Sequence, residues 1–196
     1  MMDKKMTPQI RFKGYTNAWE QGQLGERGKT YSGLSGKTSS DFGHGDASFI
    51  TYLNIFTNSI ATEEGVESIE IDNKQHNVEY GDIFFTTSSE TPEEVGMSSI
   101  WLKNTKNLYL NSFCFGYRLN TLENFDTYFL SQVFRTKSFR AKIQLLAQGI
   151  SRFNIAKTKV MELSINFPLK EEQKKIGLSC KLLDDLISLH QRKCLK

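Results

Sequence analysis

The chain has 196 residues, of which 38% are hydrophobic and 24% are charged, and its formal net charge is +3. This length is sufficient for one good hydrophobic core and an appended element. Because the net charge is so small, total charge does not indicate a polyanionic partner, and only the distribution of charge is informative.

The cysteines and the apolar stretches point to the cellular compartment. Three cysteines are present and no CxxC pair occurs, which argues against a disulfide framework and against a zinc site. Residues 1–8 contain no apolar run, and no stretch approaches the length of a membrane span. We therefore predict a cytoplasmic protein without a membrane segment.

Charge is distributed unevenly along the chain. Residues 63–94 contain ten acidic side chains and a single lysine. Residues 135–159 contain no acidic side chain and seven basic ones. Such a basic segment is the electrostatic footprint expected of a nucleic-acid binder, and a solvated helix face explains it equally well. Its members are Arg135, Lys137, Arg140, Lys142, Arg152, Lys157 and Lys159.

The first third of the chain is predicted to contain a lead-in, a loop and a strand. Residues 8–28 form the lead-in, and residues 31–45 are polar and glycine-rich without an apolar period, which indicates a surface loop. Residues 49–56 are rich in β-branched and aromatic side chains and are predicted to form a strand. The expected buried anchors of the lead-in are Ile10, Phe12, Trp19 and Leu24.

Further strands and then helices are predicted in the rest of the chain. Alternating or aromatic-rich stretches predict strands at 68–71, 82–86 and 111–119. Asn124 and Ser138 are candidate N-caps for two helices that follow. A sheet followed by packed helices is an α+β fold, and we expect its twisted sheet to be mostly antiparallel.

The last predicted helix begins after Pro168 and carries an apolar stripe. Acidic side chains lie in its first turn, where they interact favourably with the helix dipole. Apolar residues recur at three- and four-residue steps, as expected of a helix that packs against a partner surface or against its own domain. The stripe that we predict to form a helix interface consists of Ile176, Cys180, Leu183, Leu186, Ile187 and His190.

No catalytic motif is found. The sequence contains no GxxxxGK[ST], HExxH or GxSxG motif, and its histidines lack neighbours at metal-ligand spacing. Cys114, within an aromatic stretch, is interpreted as a small buried hydrophobic residue. We therefore predict no catalytic residue and no metal site.

Two segments have the side chains that nucleic-acid binding requires. Thr87, Ser88 and Ser89 offer hydroxyls to phosphates or base edges, although the hydroxyls of such a turn often bond to their own backbone instead. Arg152 is suited to guanine or phosphate and Asn154 to adenine or the backbone, or both side chains brace the turn before the last helix.

Several segments together resemble one protein family. Residues 149–157 (GISRFNIAK), 165–169 (INFPL) and 171–176 (EEQKKI) resemble the junction between a target recognition domain and its spacer helix. This arrangement belongs to the DNA specificity subunits of type I restriction–modification systems. Residues 10–16 and 81–90 are similar to other segments of that family.

The resemblance implies a target recognition domain at 1–168 and a spacer or dimerisation helix at 169–196. It implies that double-stranded DNA is the ligand and that the DNA-binding residues lie in the variable and junction segments. Phosphate positioning by the junction is expected rather than base readout, because the family keeps this segment across domains that recognise different sequences. These segments add Lys29, Tyr31, Lys37, Tyr52 and Lys157 to the candidates named above.

The family resemblance also implies partners. A specificity subunit has no catalysis or cofactor of its own and directs modification subunits, which carry S-adenosylmethionine, and an ATP-dependent restriction subunit. The usual subunit has two recognition domains and two spacer helices, whereas one of each is predicted here. A homodimer through the last helix would restore that arrangement and read a palindromic split site.

A second function from a different class is also considered. A single recognition domain with an apolar helix could bind modification subunits or another specificity subunit and act as a competitor. It would then be a protein-interaction module, and Arg152 would matter little.

Overall fold

The computed structural model describes Pro8 and residues 10–194. Strands and short helices alternate in this part of the chain until one long helix ends it. The strands are β1 (Glu20–Gln23), β2 (Gly28–Ser32), β3 (Phe42–Ile50), β4 (Val66–Ile69), β5 (Ile83–Thr86), β6 (Ser88–Ser89), β7 (Ser98–Ile100), β8 (Leu108–Leu110), β9 (Cys114–Leu119), β10 (Phe153–Asn154) and β11 (Ser164–Phe167). The α-helices are α1 (Leu24–Arg27), α2 (Tyr52–Thr57), α3 (Thr127–Val133), α4 (Lys137–Gln144), α5 (Lys157–Met161) and α6 (Lys170–Cys194).

The strands form two main sheets and two small ones. The order β2-β9-β5-β7 makes a four-stranded antiparallel sheet, and the order β4-β3-β8 makes a three-stranded sheet in which β3 and β8 run parallel. Two-stranded antiparallel ribbons pair β1 with β11 and β10 with β6. The predicted α+β fold with mostly antiparallel sheets, packed helices and a long final helix is confirmed.

Strand β5 lies at the centre of the molecule and is buried on both faces. Ile83 and Phe85 pack in the main core with helices α3 and α4, whereas Phe84 packs in a second core with strands β3 and β8. The side chains of a strand alternate between the two faces of its sheet, so a continuous apolar run is required where both faces are covered. This explains why residues 83–85 are all apolar.

The predicted strand at 49–56 is wrong after Ile50. Strand β3 ends there, and the Thr51 hydroxyl accepts a hydrogen bond from the Asn54 amide at 3.3 Å, which caps helix α2. The buried Asn54 side chain donates to the carbonyls of Thr62 and Gly65 at 2.8 and 2.9 Å. This capping and the tertiary hydrogen bonds outweigh the local strand propensity.

The predicted surface loop at 31–45 is also only partly correct. Strand β2 extends to Ser32 and strand β3 begins at Phe42, so less of the segment is irregular than its composition suggests. Tyr31 is only 8% exposed because its ring packs against Gly116 on β9, where a Cβ atom would clash with it. A glycine on the neighbouring strand thus provides the space for the ring.

The lead-in and the helix caps differ from prediction in detail. Leu24 is fully buried, but Ile10 is 91% exposed and Phe12 is 40% exposed, so these two are not anchors. The caps are Asp126, which accepts from the Phe129 amide, and Thr136, which accepts from the Phe139 amide. Asp126 lies two residues after the predicted cap Asn124, and Thr136 lies two residues before the predicted cap Ser138. Asn, Asp, Ser and Thr all favour the N-cap position, so the residue type alone does not choose between them.

The first turn of helix α6 is built into the domain. Glu172 is fully buried, and both of its carboxylate oxygens accept from Arg11 at 2.7 Å. Gln173, also buried, accepts from the Asp126 amide at 3.0 Å and donates to the Pro168 carbonyl at 2.9 Å. These side chains fix the start of the helix against the N-terminal segment and helix α3.

Much of the basic segment has a structural role. The Arg135 guanidinium donates to four carbonyls, those of Ser98, Ile55, Phe56 and Asn58, at 2.6–3.1 Å. Arg140 donates to carbonyls at 93, 95 and 96, and Lys142 to the carbonyl of residue 164. For these three side chains the hydrogen bonds favour a role within the fold, which the charge pattern alone does not reveal.

None of the helices in the described part of the chain is long and apolar enough to cross a membrane.

Replacement of Arg135 by alanine is expected to destabilise the fold by about 2–4 kcal/mol, since four carbonyls lose a charged donor. Burial lowers the pKa of Arg135 to about 10, so the side chain remains cationic at neutral pH. The free energy of unfolding in urea measures the effect. The matched control is Lys137→Ala on the exposed start of helix α4, expected within about 0.5 kcal/mol of the parent. Equal losses in both variants would contradict the bracing role.

Candidate nucleic-acid interface

The two segments predicted to bind nucleic acid lie side by side. Strand β6 pairs antiparallel with strand β10, so Ser88 is opposite Asn154 and Ser89 is opposite Phe153. The Ile155 amide also donates to the Thr87 carbonyl at 3.0 Å. Residues far apart in the sequence thus form one continuous surface.

A groove of about 360 Å³ opens beside this pair of strands. Aromatic and aliphatic side chains from helix α2 and from the turn before β9 make its apolar part, and hydroxyl, carboxylate and guanidinium groups make its polar part. We call it the aromatic groove. It is lined by Tyr52, Leu53, Phe56, Ser88, Ser89, Glu90, Glu94, Phe113 and Arg152.

The Tyr52 side chain and the main chain of Phe113 are held by hydrogen bonds to neighbouring segments. The Tyr52 hydroxyl donates to the Ser88 carbonyl at 2.7 Å, and its ring stacks on that of Phe56 at 5.9 Å between centroids. Burial raises the pKa of Tyr52, so the hydroxyl stays protonated and remains a donor at neutral pH. The Phe113 carbonyl accepts from both the amide and the hydroxyl of Thr87, each at 2.8 Å.

The hydroxyls of residues 87–89 are mostly occupied within the protein. Thr87 bonds to the Phe113 carbonyl, and the Ser89 hydroxyl donates to Glu94 at 3.0 Å. The Ser88 hydroxyl is shielded from solvent and has no hydrogen-bond partner among the described residues. The local-turn alternative therefore describes Thr87 and Ser89 well, whereas Ser88 keeps an unused hydroxyl beside the groove.

Arg152 differs from the other arginines that the structure describes. Those at 11, 27, 118, 135, 140 and 192 all donate to a carboxylate or a carbonyl. Arg152 is exposed at the edge of the groove, and within the described part of the chain its guanidinium has neither an ion pair nor a hydrogen bond. It is therefore free to bind an anion or a base edge.

Gly149 sets the path of the chain before Arg152. Its φ is +147°, and a Cβ atom at this position would collide with the Arg152 carbonyl. The main chain of this turn therefore approaches itself closely, and only glycine accommodates that approach without strain.

The remaining DNA-binding candidates have different environments. Lys29 is exposed on strand β2, and Lys157 donates to the Ser32 hydroxyl at 2.9 Å. Lys37 forms an ion pair with Asp72 at 2.8 Å. Buried Tyr31 donates to Asp82 at 2.7 Å, and burial followed by the Asp82 charge raises its pKa. Tyr31 therefore supports the sheet instead of facing a ligand.

The candidate interface residues of helix α6 fall into two groups. Ile176 packs against the domain's main core and Cys180 is half-buried, so the first half of the helix faces its own domain. The side chains in the second half of the helix are more exposed to solvent. Leu183, Leu186 and Ile187 are 60%, 62% and 56% exposed, and His190 lies on the same exposed half.

Five members of the groove were not among the predicted site residues: Leu53, Phe56, Glu90, Glu94 and Phe113. Phe113 was assigned to a strand, but the strand begins at Cys114 and Phe113 is 55% exposed in the turn before it. The preceding Asn111-Ser112 pair is a turn signal that could have indicated this. Among the described residues, no group of histidine, cysteine or acidic side chains is arranged to hold a metal ion.

Comparison with known proteins identifies one family. Residues 17–195 match the family described as type I restriction modification DNA specificity domain. That family comprises non-catalytic specificity domains, in agreement with the prediction that the chain is not an enzyme. No match was found among curated proteins.

Solved structures show the same fold. The S subunit of the type I restriction-modification system from M. genitalium is 18% identical with a TM-score of 0.62, over 92% of this chain and 42% of that chain. The HsdS subunit from Thermoanaerobacter tengcongensis is 14% identical with a TM-score of 0.59, over 95% and 42%. A structure concerned with complex assembly and conformational transition of the type I R-M system is 14% identical with a TM-score of 0.61, over 92% and 42%. The chain thus spans 42% of the length of each of these proteins.

Replacement of Gly149 by alanine is expected to destabilise the fold by about 2–4 kcal/mol, because positive φ and a backbone clash act together. The control is Gly36→Ala, which has a φ of +65° but no described atom within 4 Å of the added Cβ. That variant is expected to lose only about 1 kcal/mol. Urea unfolding compares the two, and equal losses would show that the close approach to Arg152 is unimportant.

Proposed function

The chain belongs to the family of type I restriction modification DNA specificity domains, and we propose that it binds double-stranded DNA and recognises a sequence in it. The family match over residues 17–195 is the observation that carries this proposal. The aromatic groove and the β6–β10 surface supply the place where the DNA binds.

The residues of this surface suit contact with DNA. Phosphates are bound by arginine, lysine and small polar side chains, and these contacts set the register of the protein on the duplex. Arg152 supplies a cation without an internal partner, and the exposed Asn154 lies next to it on strand β10. Lys157, whose ammonium donates to Ser32 at the end of β2, adds a second cation near this surface.

The proposed partners follow from the family and not from any contact in this structure. As part of a type I system, the chain would direct modification subunits that carry S-adenosylmethionine and, through them, an ATP-dependent restriction subunit. It needs no cofactor of its own for this role. A subunit acting on DNA would work in the cytoplasm, where its cysteines stay reduced.

Homodimerisation through helix α6 is the second part of the proposal. The described end of that helix exposes a row of large apolar side chains, which in water favours a partner surface. Two copies related by two-fold symmetry would read a palindromic split site. The exposed apolar row consists of Leu182, Leu183, Leu186, Ile187 and Leu189, each 49–62% exposed.

The same helix supports a second candidate function. A chain that associates through α6 without binding DNA would act as an interaction module that competes for modification or specificity subunits. The exposed apolar row favours this function as much as it favours homodimerisation.

Replacement of Arg152 by alanine is expected to weaken binding to a mixed-sequence 20-bp duplex by about 1–3 kcal/mol and to reduce the salt dependence by about one ion. The physical reason is the loss of a cation that no internal partner neutralises. Fluorescence anisotropy at several salt concentrations measures both quantities.

The control for this experiment is Lys103→Ala. Lys103 pairs with Glu63 on the surface and does not line the aromatic groove, so its loss should change affinity little. An unchanged affinity in Arg152→Ala would favour the interaction module. Failure of the chain, with its modification subunits, to enrich any sequence from a random duplex library would refute sequence recognition.

Replacement of Leu183 or Ile187 by aspartate is expected to abolish self-association, because a charge would be buried in an apolar interface. Light scattering gives the solution mass, alone and with a modification subunit. The control is Leu145→Asp, which changes an 87% exposed leucine outside helix α6. A monomer in both parent and variants would argue against the homodimer.

A further inference from the structure

We propose, building on the DNA-binding function above, that the aromatic groove holds a single unstacked nucleobase that carries an exocyclic amine, that is, adenine, cytosine or guanine but not thymine. The bound DNA is then locally distorted, because one base leaves the stack and inserts between the groove's side chains. Four features of the groove lead to this inference.

The first feature is the shape and lining of the groove. Three aromatic rings, those of Tyr52, Phe56 and Phe113, line a recess of about 360 Å³ together with Leu53. Aromatic rings bind nucleobases by stacking on their faces. In a regular duplex those faces are covered by the neighbouring bases, so a recess lined by rings can use them only if a base is unstacked.

The second feature is the solvent exposure of two apolar side chains, Leu53 and Phe113, of which Phe113 has a main chain fixed by hydrogen bonds. Leu53 is 66% exposed and Phe113 is 55% exposed, although most large apolar side chains of the domain are buried. The Phe113 main chain is fixed by two bonds from Thr87 and by its own amide, which donates to the Asn111 side chain at 2.9 Å. Such preorganisation reduces the entropic cost of binding a ring.

The third feature is the arrangement of acceptors. Glu90 and Glu94 line the groove, and the exposed Glu90 has no hydrogen-bond or ion-pair partner in the described part of the chain. Carboxylates repel the DNA backbone but accept hydrogen bonds from the exocyclic amines of cytosine, adenine and guanine. They therefore favour an amino-bearing base and disfavour thymine, which presents carbonyl oxygens.

The fourth feature is the cation at the edge. Arg152 lines the same groove and has no internal partner. A guanidinium at the rim can bind the phosphate adjacent to an inserted base. A hydrophobic side chain of a protein partner would use the rings but would leave Arg152, Glu90 and the Ser88 hydroxyl without a role.

The test uses 20-bp duplexes with one central extrahelical nucleotide, which supplies an unstacked base without knowledge of the target sequence. Bulged dA, dC, dG, dT and an abasic bulge are compared with the fully paired duplex by fluorescence anisotropy. The abasic bulge has the same backbone distortion without a base. We expect dA, dC and dG bulges to bind roughly tenfold more tightly than the abasic bulge, and dT bulges to gain much less.

Variants separate the groove from other surfaces. Phe113→Ala and, independently, Leu53→Ala should reduce the ratio between bulged and abasic affinities to about one. Both side chains are more than half exposed, so folding should be retained, and thermal unfolding verifies this. Glu90→Ala should remove the preference for dA, dC and dG over dT. Tyr80→Ala, which changes a 43% exposed aromatic outside the groove, is the matched control and should keep every ratio.

The outcomes distinguish this inference from the proposed function. Binding of paired duplexes with no gain from any bulged base would overturn the inference and leave DNA binding intact. A gain that survives Phe113→Ala and Leu53→Ala would place the base elsewhere and would also overturn it. Absence of binding to every duplex at low salt would refute the proposed function itself, and the base pocket with it.

Discussion

Strand β5, covered on both faces, is the constraint on which the rest of the structure depends. Its apolar residues join two hydrophobic cores, so the strand cannot shift by one residue without exposing Phe84 or the pair Ile83 and Phe85. The chain continues from this fixed strand directly into Thr87 and strand β6. The candidate interface is therefore attached to a strand that is buried on both faces, as precise recognition requires.

Polar contacts carry this rigidity from the core to the surface. Thr87 holds the turn of Phe113, Tyr52 holds Ser88, and strand β10 pairs with β6. Each contact joins segments that are distant in the sequence, and none of them uses Arg152. The Arg152 guanidinium therefore remains free to bind a ligand, while the segments around it are already ordered. Little conformational entropy is then lost when a ligand binds.

The charges of the domain divide into structural and available groups. Arg135 and Arg140 neutralise carbonyls of neighbouring segments, and Arg11 pairs with the buried Glu172. Removal of one partner from such sites leaves a buried polar group unsatisfied, so these cations serve the fold. Burial and partners, and not position within a basic segment, decide which cations can meet DNA. Burial likewise divides the apolar residues of helix α6. Ile176 packs against the core, whereas the apolar side chains at the exposed end can contact a partner.

The sequence by itself determined the family, the α+β class, strands β5 and β9 and the long final helix, because these depend on local periodicity, turn residues and contiguous motifs. It also placed Ser88, Ser89, Arg152 and Asn154 among the candidate ligand contacts. Only the tertiary structure decided that α2 is a helix, that Tyr31 is buried and that Leu53, Phe56 and Phe113 join the groove. These outcomes depend on partners far away in the chain, such as Gly116 for Tyr31 and Thr87 for Phe113, and no local pattern encodes such pairings.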